Sequence, residues 1–577
     1  MNTAMKTVIS ERSVFVLLLI LAAGFGFSVR LCGLSQIGLA EDEVNKILAV
    51  REYQRGVFSG NAEHPMLMKE LILVSVTAAD VWNRWSTGIP GAEPISEEVA
   101  IRLPNVLVGA MTVIPLYLLG SALFSRSVGI LAAFFWATGI HAVFINRVAK
   151  EDTLLVFFLL WGLYFHRRMK TSLDFEIQKK RTFHLLSAAC FGLMLASKYF
   201  PHFWGVSLLL FYLHRKWNPA SYPPDWYGWR DLVLYLTVAV IVFIMANPMI
   251  LHPTVWAHLF SYTGQTTVTH HGYMMFDYLF PNSIVLTPLG GTPWYFYLLA
   301  LSIKLPPLVL LAFVSGVVLC LRRWRQSGPF FILFWLLFWL LPYSLVGVKF
   351  LRYMLSLMPA VYLAAAFAIV QLANKLSRWS SRSCPSLFVK KTFQTVLAGL
   401  LVFGSLSALI SVLPFYSVYV NRLGGGLKHS VHYFPHDECY DLQLREAIAN
   451  AVQKAPGGSI FAGETPAVFR YYLGKNKRPD VQVVNLSDTR FSVPASTPVY
   501  VFLQPGRIYY ENRPFYTHLW NRPVDLMSAS IEGKPVVQVY RIDTSDFMKI
   551  QEERNFVPLR SQKSEKQPFL SSHKEVI

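Results

Sequence analysis

Three adjacent carboxylates, Glu41, Asp42 and Glu43, follow the first long apolar segment of the chain. Neighbouring carboxylates raise one another's affinity for protons, which suits a general base that removes a proton from a hydroxyl group. Acidic residues also favour the first turn of a helix, where they stabilise the helix dipole. Composition alone favours this second interpretation, a solvated helix start.

A second polar group, Glu63, His64 and Lys69, opens an apolar segment. The ammonium group of Lys69 could meet the phosphate of a lipid. Lysines beside a membrane also commonly extend towards headgroups without any specific ligand. Taken alone, Lys69 is better explained by this anchoring.

Arg147, Lys150, Glu151 and Asp152 place two cations and two carboxylates within six residues, at the end of a predicted membrane span. Ionisable groups at such a position are costly unless they are paired or used. An internal salt-bridge cluster explains them as well as a site that holds a phosphate and orders a catalytic acid.

Isolated cations on the predicted outer side are informative, because the positive-inside trend removes most of them. They are Lys198, Lys304, Lys349 and Arg352. An anionic ligand such as a lipid phosphate would explain all four, whereas headgroup anchoring explains each one singly. Metal binding is a weaker hypothesis, because adjacent histidines share one ion poorly; the candidates are His252, His270, His271 and Asp277.

The elements that position these residues are predicted to be membrane helices. Of 577 residues, 53% are hydrophobic and 15% charged, with a mean hydropathy of +0.38, and a soluble protein of this size carries more charge. Apolar segments of about 20 residues, long enough to span a bilayer, recur up to residue 415. The predicted spans are 13–33, 100–122, 128–147, 152–166, 182–198, 199–214, 231–251, 294–320, 329–348, 353–373 and 391–415.

Lys and Arg residues are dense in alternate loops, which predicts that these loops are cytoplasmic. They occupy 167–181, 215–230, 322–325 and 375–391, whereas 252–292 has none. The net charge of +19 is therefore mainly a topology signal. Nucleic-acid binding is not predicted, because it needs basic residues gathered on one folded surface.

The apolar segment 65–83 would reverse this topology if it crossed the membrane, and it contains Lys69, Glu70 and Asp80. It is predicted to lie in the outer interface as an amphipathic helix. The fold class is then a polytopic α-helical membrane protein with about eleven membrane helices, outer interfacial helices and a small α/β outer domain. The amino terminus is expected inside and the carboxyl terminus outside.

The predicted organisation has three parts. Residues 1–415 form a membrane domain, with outer loops at 34–99 (the candidate catalytic loop) and 252–292. Alternating apolar runs predict strands in the outer α/β domain, 416–548, at VQVVNL, PVYVFL and PVVQVYRI. Helices are predicted between them at DLQLREAIANAVQ and PAVFRYYLG. Residues 549–577 form a polar tail that is expected to be disordered.

The charged residues also occur in an order that resembles a known family. An Asp-Glu pair follows the first span, and a His-Pro-x-x-x-Lys helix comes next. The motif residues are Asp42, Glu43, His64, Pro65, Lys69, Arg102, Arg147, Asp152, Arg352, Tyr353 and Pro359. This set resembles the bacterial branch of the protein O-mannosyltransferase superfamily, which includes the lipid A aminoarabinose transferases. The segment VNRLGGGLKHSVHYFPHDECYD also resembles members with an outer carboxyl-terminal domain.

The resemblance implies an inverting glycosyltransferase with a polyprenyl-phosphate-linked sugar as donor. Asp42 would be the catalytic base, and Glu43 would orient it or the acceptor. The implied ligands of the donor phosphate are Lys69, Arg102, Lys198 and Arg352, and the implied substrate-binding residues are His64, Arg147 and Asp152. No nucleotide, metal or other cofactor is implied. The sequence departs from the family pattern at two points. The His-Pro-x-x-x-Lys helix starts with His-Pro-Met where the family often has His-Pro-Pro, and Glu41 is an additional acid before the Asp-Glu pair.

The resemblance further implies a bacterial inner-membrane location, with an acceptor protein, lipid or glycan outside and membrane lipids around the spans. A transporter or flippase of lipid-linked saccharide is the alternative, although such a protein is expected to carry charges near the middle of the membrane. A scaffold protein would leave the charged clusters unexplained. A lipid-linked sugar polymerase or ligase is the nearest enzyme alternative, and it would lack the early Asp-Glu pair.

Overall fold

The computed structural model describes residues 11–171, 177–199, 229–263, 272–282, 290–380, 387–488, 497–553 and 565–566. Several predicted features lie wholly or mainly outside the described residues. These are the span 199–214, parts of the outer loop 252–292 with His270 and His271, and most of the tail 549–577.

The first 415 residues are almost entirely helical in the part of the chain that is described. Helices α1 to α10 are Glu11–Leu31, Glu41–Gln54, Leu67–Ser86, Glu97–Ala100, Leu103–Met111, Val113–Leu123, Arg126–Thr138, Ile140–Ile145, Asp152–Thr171 and Ile177–Ser197. Helices α11 to α17 are Trp229–Ala246, Pro253–Thr263, Phe296–Lys304, Pro307–Arg322, Ser327–Leu345, Met358–Ser380 and Leu387–Ile410. Short 3₁₀ turns connect several of them, at Leu34–Gln36, Pro248–Leu251, Leu351–Ser356, Tyr416–Val418, Arg422–Gly424 and Gly426–His429.

Five helical segments in the described residues are long and apolar enough to cross a membrane. They are Ser13–Gln36, Glu97–Leu123, Trp229–Ala246, Ser327–Leu345 and Met358–Trp379. Shorter apolar helices accompany them at Arg126–Thr138, Pro307–Arg322 and Val396–Ile410. The predicted class, a polytopic helical membrane protein, is confirmed, and the number of eleven spans stays a prediction.

Proline and glycine break two of the predicted spans in the structure. The span 294–320 divides after Lys304, because Pro306 and Pro307 cannot continue the hydrogen-bonding of α13. The span 128–147 divides at Gly139, where a Cβ would lie 2.0 Å from the hydroxyl oxygen of Tyr362. This glycine lets α16 approach the break closely, and the polar residues after α8 begin just beyond it.

Small residues also bring the membrane helices into direct backbone contact. A Cβ on Gly316 of α14 would lie 2.1 Å from the Ala364 carbonyl oxygen of α16, and one on Gly120 would lie 2.9 Å from Gly129 Cα. Membrane helices associate through such close van der Waals contacts, because lipid supplies no hydrophobic drive between them. The resulting rigid bundle supports the loops that carry the charged residues.

Helix α3 covers most of the segment 65–83 that was predicted to lie in the interface. One face buries Met68, Lys69 and Ile72, while Val74 and Trp85 on other faces are each 67% exposed. It is not among the helices that qualify as membrane spans in the described residues. Its amphipathic pattern is typical of a helix that lies along a membrane surface.

The carboxyl-terminal domain contains a five-stranded sheet. Its strands are β3 (Ile460–Gly463), β4 (Gln482–Asn485), β5 (Val499–Leu503), β6 (Met527–Ile531) and β7 (Lys534–Ile542). They lie in the order β4-β3-β5-β7-β6. Strand β3 pairs parallel with β4 and β5, and β7 is antiparallel to β5 and β6. Strands β4, β5 and β7 fall in segments predicted as strands. A separate short sheet contains β1 (Tyr273–Met275), β2 (Tyr278–Phe280) and β8 (Glu565–Lys566).

Helices cover both faces of the five-stranded sheet, which explains why β3 and β5 are buried along their whole length. The helices are α18 (Pro435–Cys439), α19 (Leu444–Lys454), α20 (Pro466–Lys475), α21 (Arg513–Leu519) and α22 (Thr544–Glu553). A further 3₁₀ turn spans Pro505–Arg507. Helix α22 continues past residue 548, so the expected start of the tail lies inside a helix.

One apolar cluster joins this domain to α2 and α3. It includes Val44 and Val50 of α2, Met68 of α3, and Ile448 and Phe469 of the carboxyl-terminal domain. The domain therefore packs directly on the helix that begins with the three carboxylates.

Candidate active site

Asp42 lies in the first turn of α2. The helix begins at Glu41 because the Glu43 carboxylate turns back and accepts the Ala40 backbone N–H at 3.1 Å, an N-terminal capping contact. The Asp42 side chain remains 29% exposed, whereas that of Glu43 is 1% exposed. Of this predicted catalytic pair, only Asp42 can reach a substrate.

Two cations approach one oxygen of the Asp42 carboxylate. Lys150 Nζ lies 2.6 Å from Oδ2, and an Arg352 guanidinium nitrogen lies 3.8 Å from the same atom. Burial would raise the pKa of Asp42, but Lys150 and Arg352 hold it well below its usual range. In the described part of the chain, no hydrogen bond reaches the second oxygen, Oδ1. Asp42 is therefore an ionised carboxylate with one oxygen available.

A third group on Oδ2 comes from the carboxyl-terminal domain. The Tyr440 hydroxyl donates a hydrogen bond to Asp42 Oδ2 at 2.5 Å. Burial raises the pKa of Tyr440 well above its usual range, and the charge of Asp42 raises it further. The phenol consequently keeps its proton and acts as a donor.

Glu43 and Arg102 form a buried, two-pronged ion pair. Arg102 Nε lies 2.7 Å from Oε1 of Glu43, and Nη2 lies 2.5 Å from Oε2. The remaining guanidinium donors bind the carbonyl oxygens of Leu34, Ile37 and Gly38. These contacts give Arg102 and Glu43 a structural role, since none of them leaves a donor directed at a phosphate.

Lys46 lies on α2 one turn after Asp42, and it pairs with Glu151. The sequence pattern alone does not indicate a role for this lysine. Its Nζ lies 2.9 Å from Glu151 Oε1, and both side chains are 1% exposed. His64 Nδ1 lies 3.9 Å from the same oxygen. Burial lowers the pKa of His64 to about 3, although Glu151 opposes this shift, so the imidazole is neutral at physiological pH.

The three protons of the Lys69 ammonium point into its own loop. Nζ donates to the carbonyl oxygens of Gly60, Asn61 and His64 at 3.0, 2.7 and 3.0 Å. Burial, followed by the charge of Lys46, lowers the pKa of Lys69 to about 8. These bonds order the loop that carries His64 and leave Lys69 without a donor for a lipid phosphate.

Asp152 and Lys198 meet beside Arg352. Lys198 Nζ lies 2.7 Å from Asp152 Oδ1 and 4.9 Å from the ring centre of Tyr353, the residue after Arg352. Asp152 Oδ2 is buried without a hydrogen-bond partner in the described residues. This pair extends the charged site beyond Asp42.

Arg352 is held by aromatic rings. Its guanidinium carbon lies 4.1 Å from the Phe350 ring centre and 5.6 Å from that of Tyr353. Its Nε is buried and has no hydrogen-bond partner in the described residues. Stacking orients the planar group but leaves N–H donors for an anion, and burying an unused donor is costly.

Arg147 lies away from the Asp42 carboxylate. Its guanidinium carbon is 4.7 Å from the Tyr416 ring centre, and Nη1 donates to the Pro414 carbonyl oxygen at 3.3 Å. Nε and Nη2 are buried and have no hydrogen-bond partner within the described ranges. Arg147 lines a narrow cavity together with Glu43, Arg102 and Tyr440.

The other two isolated cations bind within the protein. Lys304 Nζ lies 2.5 Å from Glu438 Oε1 and donates to the carbonyl oxygens of Ser417 and Tyr419. Lys349 Nζ donates to the Thr292 carbonyl oxygen at 2.8 Å. Lys304 thereby connects the membrane helices to α18.

The structure thus brings together Asp42, Arg352, Asp152 and Lys198 of the predicted site, with His64 at its edge. It adds Lys46, Lys150 and Tyr440. Lys150 belonged to a cluster noted in the sequence. Tyr440 lies in the segment HDECYD, where no spacing links it to residue 42.

Residues 95–252 match the family model described as dolichyl-phosphate-mannose-protein mannosyltransferase. This segment contains Arg102, Arg147, Lys150, Asp152 and Lys198. A comparison with curated proteins finds no match to the sequence.

The fold is similar to solved structures of other proteins. The apo structure of ArnT from Cupriavidus metallidurans has 13% identity and a TM-score of 0.52, over 92% of this chain and 98% of that one. The same protein bound to undecaprenyl phosphate has 13% identity and a TM-score of 0.50, with the same coverage. The apo oligosaccharyltransferase of Archaeoglobus fulgidus has 11% identity and a TM-score of 0.51, over 86% of this chain and 70% of that one. The family model thus matches one part of the chain, and the chain as a whole shares the fold of ArnT and of this oligosaccharyltransferase.

Proposed function

We propose that the chain transfers a sugar from a polyprenyl-phosphate carrier to an acceptor hydroxyl, with Asp42 as the general base and with inversion at the anomeric carbon. The observation that carries the proposal is the Asp42 carboxylate, which is ionised, held through Oδ2 and available through Oδ1. A general base needs this combination of charge, orientation and access.

In this reaction Asp42 Oδ1 takes the proton of the acceptor hydroxyl as its oxygen attacks the anomeric carbon. The bond from that carbon to the phosphate oxygen breaks, and its electron pair leaves with the polyprenyl phosphate. Negative charge therefore grows on the phosphate. The N–H groups of Arg352 and the ammonium of Lys198 are the cationic groups of the site that would stabilise such charge.

The charge balance of the site favours an anionic donor. Its carboxylates are Asp42, Glu151 and Asp152, and its cations are Lys46, Lys150, Lys198 and Arg352. With His64 neutral, one positive charge is in excess, and a phosphate compensates it. The ArnT structure with undecaprenyl phosphate gives a similar fold in which such a carrier is bound.

The chain is a multipass membrane protein, and we infer that it lies in the bacterial inner membrane with the site on the outer face. The basic loops around 167–181, 322–325 and 375–391 support this orientation through the positive-inside trend. The amino terminus is then cytoplasmic, and the carboxyl-terminal domain, 416–548, is periplasmic. The acceptor is a hydroxyl group of a protein, lipid or glycan reached from that side.

The test uses purified full-length protein with undecaprenyl-phosphate-linked radiolabelled sugars and inner-membrane extract as the acceptor source. Asp42→Asn keeps the size of the side chain and removes its charge. Asp546→Asn is the matched control, because Asp546 is 53% exposed on α22. We expect wild type and Asp546→Asn to transfer label and Asp42→Asn to be inactive. Normal transfer by Asp42→Asn overturns the base assignment, and no transfer by wild type from any lipid-phosphate sugar overturns the donor class.

A further inference from the structure

The carboxyl-terminal domain meets the start of α2 through a cluster of polar contacts. Arg507 binds both oxygens of Asp441, at 2.9 and 2.5 Å, and its Nη1 lies 3.0 Å from a carboxylate oxygen of Glu41. The Glu41 backbone N–H in turn donates to Asp441 Oδ2 at 3.0 Å. These three residues, called the Arg507 clamp below, tie the first turn of the catalytic helix to the domain.

The clamp holds its neighbours in an uncommon backbone conformation. Tyr440 has φ +35° and Asp441 has φ +61°, both in the left-handed region. Residues with a side chain enter this region rarely, and they persist there where surrounding contacts overdetermine the geometry. Here the result of the turn is that the Tyr440 side chain reaches across to Asp42.

From these contacts we propose that Tyr440 is a positioning residue for the base, and that the carboxyl-terminal domain is an integral part of the active site. This inference rests on the proposed function. The Tyr440 phenol and Lys150 occupy Oδ2 of Asp42 together and direct Oδ1 towards the acceptor. The domain then supplies a group that orders the reacting carboxylate, as well as packing over the membrane helices.

Other titratable groups around Asp42 come from several elements packed near it. They are Glu41 and Lys46 on α2, the neutral His64 before α3, Lys150 before α9 and Arg352 before α16. A hydrogen bond from Tyr440 stabilises the ionised carboxylate and therefore lowers the pKa of Asp42. Removing the hydroxyl raises that pKa, so the acid limb of the pH–rate profile moves to higher pH.

The experiment compares Tyr440→Phe with Tyr471→Phe in the full-length protein. Tyr471 is a matched control, because its hydroxyl also donates from this domain to a carboxylate near the membrane domain, Glu97 Oε2 at 2.7 Å. For Tyr440→Phe we expect kcat to fall about tenfold or more, the factor expected for a hydrogen bond to a charged group. The KM for the lipid-linked donor stays unchanged, and the acid limb shifts upward. Tyr471→Phe keeps the wild-type kcat and pH profile.

Wild-type kcat and pH profile in Tyr440→Phe overturn the positioning role. An equal loss of kcat in both variants without a pH shift also overturns it, because the effect is then a general loosening of the domain. Thermal stability and binding of undecaprenyl phosphate by Tyr440→Phe report whether the variant is folded. If Asp42→Asn is inactive and Tyr440→Phe is fully active, the positioning role is wrong and the proposed function stands. Failure of the inference and failure of the proposed function are therefore distinguishable.

Discussion

Lys150 Nζ lies 2.6 Å from Oδ2 of Asp42, and this pairing makes the ionised state of the carboxylate depend on a lysine whose own pKa is shifted. Burial lowers the pKa of Lys150 to about 8, although Asp42 opposes the shift. Below that pH the ammonium is charged and stabilises the ionised, oriented carboxylate. Above it the lysine is neutral and the ion pair is lost.

The transfer rate is therefore expected to fall as the pH rises through about 8. Lys150→Arg keeps a positive charge at all accessible pH values, so its alkaline limb should move upward by at least about one pH unit. The measurement is kcat against pH from about 6 to 10 with a fixed donor. Lys549→Arg, at an exposed position of α22, is the control. An identical alkaline limb in Lys150→Arg and wild type would contradict the assignment.

Arg352 should control the use of the donor phosphate. We expect Arg352→Ala to lower kcat/KM for the lipid-linked sugar about 100-fold and to weaken product inhibition by undecaprenyl phosphate. Arg352→Lys should recover only part of the loss, because lysine keeps the charge but loses the planar group that stacks on Phe350. Arg51→Ala, which removes a half-exposed cation paired with Glu97, serves as the comparison. Equal inhibition of wild type and Arg352→Ala by the carrier phosphate would exclude the contact.

The Glu43–Arg102 pair should act on stability. Glu43→Gln leaves the Arg102 guanidinium buried beside a neutral partner, and breaking a buried pair in this way costs about 3–5 kcal/mol. Thermal unfolding in detergent should show a lower Tm for Glu43→Gln, with part of the loss recovered in Glu43→Gln/Arg102→Gln. Glu97→Gln removes the charge from the partly exposed pair with Arg51, keeps an oxygen that can accept the Tyr471 hydroxyl, and should change Tm little. A double variant whose loss equals the sum of both single losses would show that the two side chains are not coupled.

Substitution of Lys69 distinguishes two possible roles for this residue, as a ligand of the donor phosphate or as a residue that orders its own loop. Its ammonium donates to three carbonyl oxygens of the loop 60–64, so Lys69→Met should lower kcat and thermal stability and leave the donor KM near the wild-type value. Steady-state kinetics with varied donor separate the two quantities. A large increase in donor KM with unchanged stability would instead support the role that the sequence resemblance implies.

The sequence predicts the class of fold because long apolar segments have one stable solution in a bilayer. It also predicts α3, since a segment with Lys69, Glu70 and Asp80 is too costly to bury in lipid. The breaks at Gly139 and Pro306 lie inside apolar segments, where hydropathy alone predicts a continuous helix. Helix and strand patterns likewise indicate most of the carboxyl-terminal domain, although β3 and β6 were not predicted.

The partners of charged residues are the part that sequence does not reveal. An isolated lysine has the same appearance whether it binds three carbonyl oxygens, as Lys69 does, or faces a ligand. Glu43 and Arg102 are 59 positions apart, and their pairing depends on how the membrane helices pack. Residue type is enough to single out Asp42 and Arg352 in the sequence. Tyr440 can be recognised only in the folded structure, where its hydroxyl donates to Asp42.

The Tyr440–Asp42 contact also has a consequence for the synthesis of the protein, because it joins an early residue to a late one. The two residues are 398 positions apart, and at roughly 5–20 residues per second translation separates them by about 20–80 s. During this interval the first helices are already made, while the tyrosine that donates to Asp42 has not yet been synthesised. A nascent or prematurely terminated copy can hold the cations of the site and still lack an oriented carboxylate. Under the proposed function, the protein therefore becomes competent for catalysis only after its carboxyl-terminal domain has been made and folded.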